Sequence, residues 1–187
     1  MYSTNTVLII LFTAIVFSLI WARFRVFTVS SKKSRLGALI YDPIVAIQIG
    51  APYWYWLFPS FDYQGYIDSY IAVLVLLFSL LLFIWSLKTA KNMNFALGEP
   101  KLGIITSGPF AIVRHPFYLS YILIWLCNTL LFNSLILWIT LTYLIAFYIF
   151  SARSEEKAIL KTEYSREYRE YRNKVGMFLP RIAIWKS

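Results

Sequence analysis

The sequence predicts an all-α integral membrane protein. The expected architecture is about five transmembrane helices, a tight hairpin between the fourth and fifth, and an amphipathic cytoplasmic helix at the C-terminal end. Three observations predict it. Hydrophobic residues fill 59% of the 187 positions and charged residues only 14%, with a mean hydropathy of +0.63. Soluble domains run at about 45–50% apolar and about 25% charged, so the bilayer is the solvent that accounts for this composition. The apolar residues gather in five segments, and all 18 lysines and arginines fall on one side of the membrane those segments imply.

The first apolar segment covers residues 6–22. No basic stretch precedes it and its first positive charges, Arg23 and Arg25, follow it, so it reads as a retained transmembrane helix rather than a signal peptide. The second, residues 36–58, is irregular. Asp42 and Pro43 interrupt its start and Pro52 sits near its end, and proline removes a backbone donor and kinks a helix. Asp42 reads either as an intramembrane acid with a function or as a carboxylate reaching water at the cytoplasmic boundary. Tyr53, Trp54, Tyr55, Trp56 and Phe58 read as an outer aromatic belt. The third segment covers residues 66–87, the fourth 117–132 and the fifth 134–151. The last two are short for a core that takes about 20 residues, so their helices are expected to continue beyond the apolar boundary.

Basic residues occupy three stretches: Arg23, Arg25, Lys32, Lys33 and Arg35; then Lys88, Lys91, Lys101 and Arg114; then nine more after Ser151. The N-terminal cap, the 59–65 loop and the turn at Asn133 carry none. Five spans make these stretches alternate with the bare ones, which puts the N-terminus outside and the C-terminus in the cytoplasm. The formal charge of +9 therefore orients the bundle and meets anionic headgroups. It does not form a nucleic-acid patch. The single cysteine, Cys127, lies in an apolar run and allows neither an internal disulfide nor a zinc framework. One membrane domain spans residues 1–187, with a three-helix part over 1–87 and a second half over 88–187.

Only Asn133 and its immediate neighbours separate the fourth and fifth segments, so the two form an antiparallel hairpin. Arms of roughly equal length, at 1.5 Å per residue, return Arg153, Glu155 and Glu156 to the level of His115 and Tyr118. Beyond them Glu156, Leu160, Tyr164, Tyr168, Tyr171 and Val175 recur at helical spacing. That stripe predicts one continuing helix with Arg153 and Glu156 on its packing face, where a carboxylate needs a cationic partner. The loop 92–109 carries Gly98-Glu99-Pro100, Gly103 and Ser107-Gly108-Pro109; a loop this long is often functional. In Arg114-His115-Pro116-Phe117-Tyr118, Pro116 suits the first turn of a helix, and His115 stands where helix-start amides favour an anion.

These residues, taken together, carry a resemblance. Thr106-Ser107-Gly108-Pro109-Phe110, Val113-Arg114-His115-Pro116-Phe117-Tyr118, Arg153-Ser154-Glu155-Glu156, Tyr168-Arg169-Glu170-Tyr171, Val175 and Phe178-Leu179-Pro180 resemble the isoprenylcysteine carboxyl methyltransferase family. The related phospholipid N-methyltransferases share the Arg-His-Pro and Glu-Glu plan. The resemblance covers about residues 88–182. Ser120 departs from a glycine common in the family two residues after the motif tyrosine, and a serine is still small enough for close helix approach.

The resemblance implies a membrane enzyme that uses S-adenosyl-L-methionine without a Rossmann domain. Carried over, the cofactor-binding residues are Leu102, Gly103, Ile104, Ile105, Phe110, His115, Pro116, Phe117, Tyr118 and Glu156. Arg153 is the nearest match to the substrate-binding arginine, with Arg153, Glu156 and His115 as the catalytic set and Arg114 as a neighbour without an assigned role. The expected acceptor is lipophilic, enters from the bilayer, and is first of all a prenylcysteine carboxylate. A phospholipid amine such as phosphatidylethanolamine, or a small hydrophobic thiol or acid, is the alternative. Two further readings belong to other classes: a reductase on a similar helical scaffold, and a noncatalytic membrane scaffold or transporter subunit. The first would bind a reduced nicotinamide cofactor and the second no cofactor.

Overall fold

The computed structural model describes residues 2–25, 32–58, 65–90 and 104–181, with side chains described outside 2–5, 23–25 and 32–39. Within them the chain is all-helical: α1 Tyr2–Arg25, α2 Lys32–Leu57, α3 Ser69–Ala90, α4 Pro116–Phe132, α5 Leu135–Ile159 and α6 Ser165–Lys174, with a short 3-10 turn at Gly108–Ala111. Among the described residues no strand forms, and a single parallel bridge links Val113 to Gly176. By length and composition α3 and α5 can cross a membrane, and Thr6–Ala22 and Pro116–Phe132 are shorter apolar helices.

Local chemistry sets the helix ends. Asp68 starts α3 by accepting from the amides of Tyr70 and Ile71 at 2.8 and 2.9 Å, which satisfies donors that the first turn otherwise leaves open. Helix α4 begins with Pro116, whose missing N–H costs nothing there. It ends at Asn133, held in the left-handed region at φ 43°. The Asn133 amide donates to Thr129 and its side chain accepts from Trp138 Nε1 at 3.0 Å. Asn is among the few side chains that adopt this conformation readily, and it reverses the chain within two residues into α5. The hairpin expected from the spacing is present.

Helix α3 packs on α4 and α1, and α5 packs on α2 and α4. The core between them is built from Phe12, Leu76, Ile124, Trp125, Phe132, Leu144 and Tyr148, all essentially inaccessible. The opposite faces are apolar too: Phe17, Leu74, Leu81, Leu135 and Phe150 are exposed. Water penalises such an outer surface and lipid does not.

Three expectations change. Helix α2 runs unbroken through both Pro43 and Pro52; tertiary contacts such as Tyr41 on Tyr148 and Tyr53 on Phe12 hold it on either side. The aromatic run at its end is not purely an outer belt. Trp54 and Phe58 face outward, whereas Tyr55 stacks on Phe132 at 5.0 Å and Trp56 meets the same ring edge-on at 5.7 Å. Finally, α5 does not continue into α6. The amides of Lys161 and Thr162 turn to Ala158 and Ile159, three residues back, and Thr162 Oγ1 donates to Ile159 O and accepts from the Tyr164 amide. These local bonds compete with the helical ladder and break the stripe between Leu160 and Ser165.

Candidate functional site

The site lies at the end of the α4–α5 hairpin opposite Asn133. The buried face of α5 runs Leu137, Thr140, Leu141, Leu144, Tyr148, Ala152 and Glu156, so the helical period that packs the bundle ends on a carboxylate. Glu156 is 3% exposed. Its Oε1 accepts from Arg114 Nε at 2.9 Å and lies 3.2 Å from His115 Nε2. Its Oε2 has a longer contact, 3.7 Å, with Arg172 Nε. A buried carboxylate persists only with such partners, and here three basic side chains from two segments converge on it.

His115 faces both acids. Its Nδ1 is 3.6 Å from Glu155 Oε2 while its Nε2 meets Glu156, and two acceptors suit a ring that donates from both nitrogens. Burial alone would lower the His115 pKa, but hydrogen bonds to Glu155 and Glu156 and their charges outweigh it, and the net shift is upward. Glu155 is half-exposed and accepts a short hydrogen bond from the Tyr118 hydroxyl. The Tyr118 ring stacks between His115 at 5.8 Å and Tyr148 at 5.3 Å. Phe110 is buried and meets Phe117 edge-on at 6.2 Å.

The C-terminal segment closes the site. Arg114 N donates to Gly176 O at 2.8 Å and His115 N to Met177 O at 3.1 Å. Arg114 Nη1 donates to the carbonyls of Val175 and Arg172. Tyr171 reaches back to the Phe110 carbonyl at 2.6 Å. Burial first, then the Glu156 charge, pushes the Tyr168 hydroxyl pKa upward, so it stays neutral. Gly176 is required by space: a Cβ there would meet the Leu179 carbonyl oxygen at 1.9 Å. The Arg-His-Pro segment is thus clamped between α5, which its side chains meet at Glu156, and a returning tail, which takes its backbone donors.

The other residues singled out from the sequence distribute as follows. Pro116 is buried at the start of α4, and Phe117 is half-buried on it. Ile104 packs on Tyr168, Tyr171 and Val175, and Ile105 is half-buried beside it in the chain. Leu102 and Gly103, with most of the 92–109 loop, lie outside the described residues. Ser120 is fully buried and its Oγ donates to the Phe117 carbonyl at 2.7 Å. Asp42 is exposed on α2. Arg153 is a correction: it is exposed and does not share the packing face with Glu156. Its neighbour Ala152 holds that face, four residues before Glu156, and one residue of helix turns Arg153 about 100° away.

Sequence reasoning left Arg114 without a role and missed Arg172 and the tail pairing. Arg172 lies one residue beyond Tyr171 in the expected stripe, which was the available signal. The partner of the Arg114 guanidinium could be inferred only once the hairpin had placed Glu156 beside it.

Comparison with known proteins bears on the same stretch. A family profile described as phospholipid methyltransferase matches residues 67–167, more than half of the chain. No curated protein and no solved structure matches it. The matched region runs from the start of α3 through the hairpin to both carboxylates and into α6, and such a match supports a membrane methyltransferase. The chain belongs to the phospholipid methyltransferase family, which includes the isoprenylcysteine carboxyl methyltransferases.

Proposed function

We propose that this protein transfers a methyl group from S-adenosyl-L-methionine to a lipophilic acceptor at the cytoplasmic boundary of a membrane. It spans that membrane five times with its N-terminus outside. The observation that carries the reading is Glu156, a carboxylate buried at the foot of the hairpin, with Oε1 taken by Arg114 and His115, Oε2 3.7 Å from Arg172, and a further hydrogen bond to the Tyr168 side chain. The outward apolar faces of α1, α3 and α5 and the one-sided basic residues support the topology.

The residues present fit the cofactor. The buried Glu156 carboxylate supplies the negative charge that an ammonium group pairs with. The start of α4, where no side chain caps the helix, favours a carboxylate, with protonated His115 beside it. Phe110, Phe117 and Tyr118 offer aromatic faces to adenine or to a sulfonium. S-adenosylmethionine, when bound, supplies an electrophilic methyl group on a positively charged sulfur. Transfer of that methyl in line to an anionic or neutral nucleophile largely neutralises charge, so the protein's task is alignment and exclusion of water. The buried rings and the clamped Arg114-His115 backbone serve that task. The acceptor enters between helices from the bilayer and the polar cofactor from the cytoplasmic side.

A prenylcysteine carboxylate is the first acceptor, because the mouth is rich in guanidinium groups and exposed Arg153 is free to meet an anion arriving from lipid. A phospholipid amine is the second, favoured by the half-exposed Glu155 carboxylate beside Tyr118. Transfer of a radiolabelled methyl to a panel of prenylcysteine, phosphatidylethanolamine and hydrophobic thiol acceptors tests both. One acceptor class is labelled, and Glu156→Gln and His115→Ala abolish the labelling. Labelling that survives both substitutions removes the site assignment.

A further inference from the structure

Beside the carboxylate cluster, on the side of the C-terminal segment, lies an open cavity of about 460 Å³. Arg114, Arg172 and Arg181 all line it, together with Asn173, and none of its lining residues is acidic. The existing contacts of these arginines leave donors over. Arg114 uses Nε on Glu156 and Nη1 on backbone carbonyls. Arg172 uses only Nε, at 3.7 Å. Arg181 uses Nη1 on the carbonyls of Asn173 and Arg172. The Nη2 amino groups of all three are uncommitted by these bonds. The nearest compensating charge, Glu156, is buried and shared with His115, so the cavity carries a net positive charge.

Three guanidinium groups around one space exceed what a single carboxylate satisfies, since one arginine fork already matches a carboxylate with two hydrogen bonds. A tetrahedral oxyanion with several equivalent oxygens uses all three. We propose that this cavity binds a phosphate-class oxyanion, taken either from the headgroup of an anionic phospholipid or from solution. The cavity adjoins Glu156 through Arg114 and Arg172, but its lining, from Arg114, α6 and the tail, does not include Glu156 itself. Arg172 and Arg181 are well exposed, so solvent screens the attraction and weak binding of a free ion is expected. On the proposed topology the cavity lies at the cytoplasmic boundary, where a lipid headgroup gains from being held at the surface.

The test uses the full chain purified in a neutral detergent, with thermal midpoint and phosphorus NMR line width as readouts. The probes are inorganic phosphate and the short-chain anionic lipid dihexanoyl phosphatidylglycerol, each against chloride at matched ionic strength. Both probes are expected to raise the midpoint beyond chloride. Arg181→Gln, an exposed position whose contacts are only to backbone carbonyls, weakens binding by about tenfold. The charge-matched control Arg169→Gln, on exposed α6 surface outside the cavity, leaves binding unchanged. Tighter binding of the lipid identifies a headgroup as the source, and equal or tighter binding of phosphate identifies the free ion. No shift beyond chloride with either probe overturns the proposal, as does equal loss in Arg181→Gln and Arg169→Gln. Because no cofactor is present, a failure here leaves the methyltransferase reading standing, and a failure of that reading leaves this binding result intact.

Discussion

The two ends of the α4–α5 hairpin solve opposite problems. At the Asn133 end the buried polar groups are neutral and bond mostly to one another. Gln48 Nε2 donates to Thr140 Oγ1 at 2.9 Å and to the Leu137 carbonyl, and Asn128 donates to the Gln48 carbonyl. Stacked Tyr55 and Phe132 close over that end. At the His115 end the buried polar groups include ions. Glu156 has three cations around it, and two backbone bonds from a returning tail hold the motif in place. Neutral hydrogen bonds in a helical bundle lock geometry at modest energy. Buried charges are costly to unpair and respond to any charged ligand. One end therefore serves as a hinge that fixes the two arms, and the other as a place where chemistry can enter.

Substitutions break this contrast in order of size. Removing the Glu156 charge with Glu156→Gln leaves the nearly buried Arg114 guanidinium without its counter-ion. A cost of about 3 kcal/mol in stability follows, seen as a large fall in thermal midpoint together with loss of cofactor binding. Gly176→Ala comes next. The Cβ clash with Leu179 O forces the tail to shift, the pairing to Arg114 and His115 weakens, and roughly 2 kcal/mol is lost, with faster amide exchange at Arg114 and His115 as the readout. Gln48→Leu at the opposite end costs only about 1 kcal/mol, within the range of hydrogen bonds between membrane helices, and leaves cofactor affinity unchanged. A loss of cofactor affinity equal to that of Glu156→Gln would erase the distinction between the two ends.

The smallest effect is in pH. The His115 pKa is raised in the folded protein above its ordinary value of 6.5. Its contribution to stability is therefore present in full below that value and is lost as pH rises through the raised one. The thermal midpoint should fall across that upper window, and His115→Gln should flatten the profile there. A midpoint that stays flat across that window and instead rises with pH below 6.5 would mean that the imidazole is buried neutral.

How much of this was legible in the sequence differs by region for physical reasons. The hairpin was legible because two apolar arms with almost no linker admit a single geometry, and that geometry alone brought Glu155 and Glu156, 40 and 41 positions away, to His115. The α5–α6 break was not, because the bonds made by Thr162 in the turn compete with a stripe whose hydrophobic spacing is helical throughout. Arg153 was placed on the packing face from its three-residue spacing to Glu156, but the buried row is set by the four-residue steps from Tyr148 through Ala152 to Glu156. The pairing of Arg114 and His115 with Gly176 and Met177 joins segments about sixty residues apart through backbone atoms, which carry no residue-specific signal beyond the glycine itself.

The central claim is that Glu156 at the ionised end is the anchor for a cationic group of the cofactor. Calorimetric titration of the purified protein with S-adenosylhomocysteine tests it most directly. One molecule should bind per chain, and Glu156→Gln should weaken binding about a hundredfold, as expected for a buried charge-assisted hydrogen bond. Folded protein that does not bind S-adenosylhomocysteine, or a Glu156→Gln variant that binds it with unchanged affinity, would contradict the account.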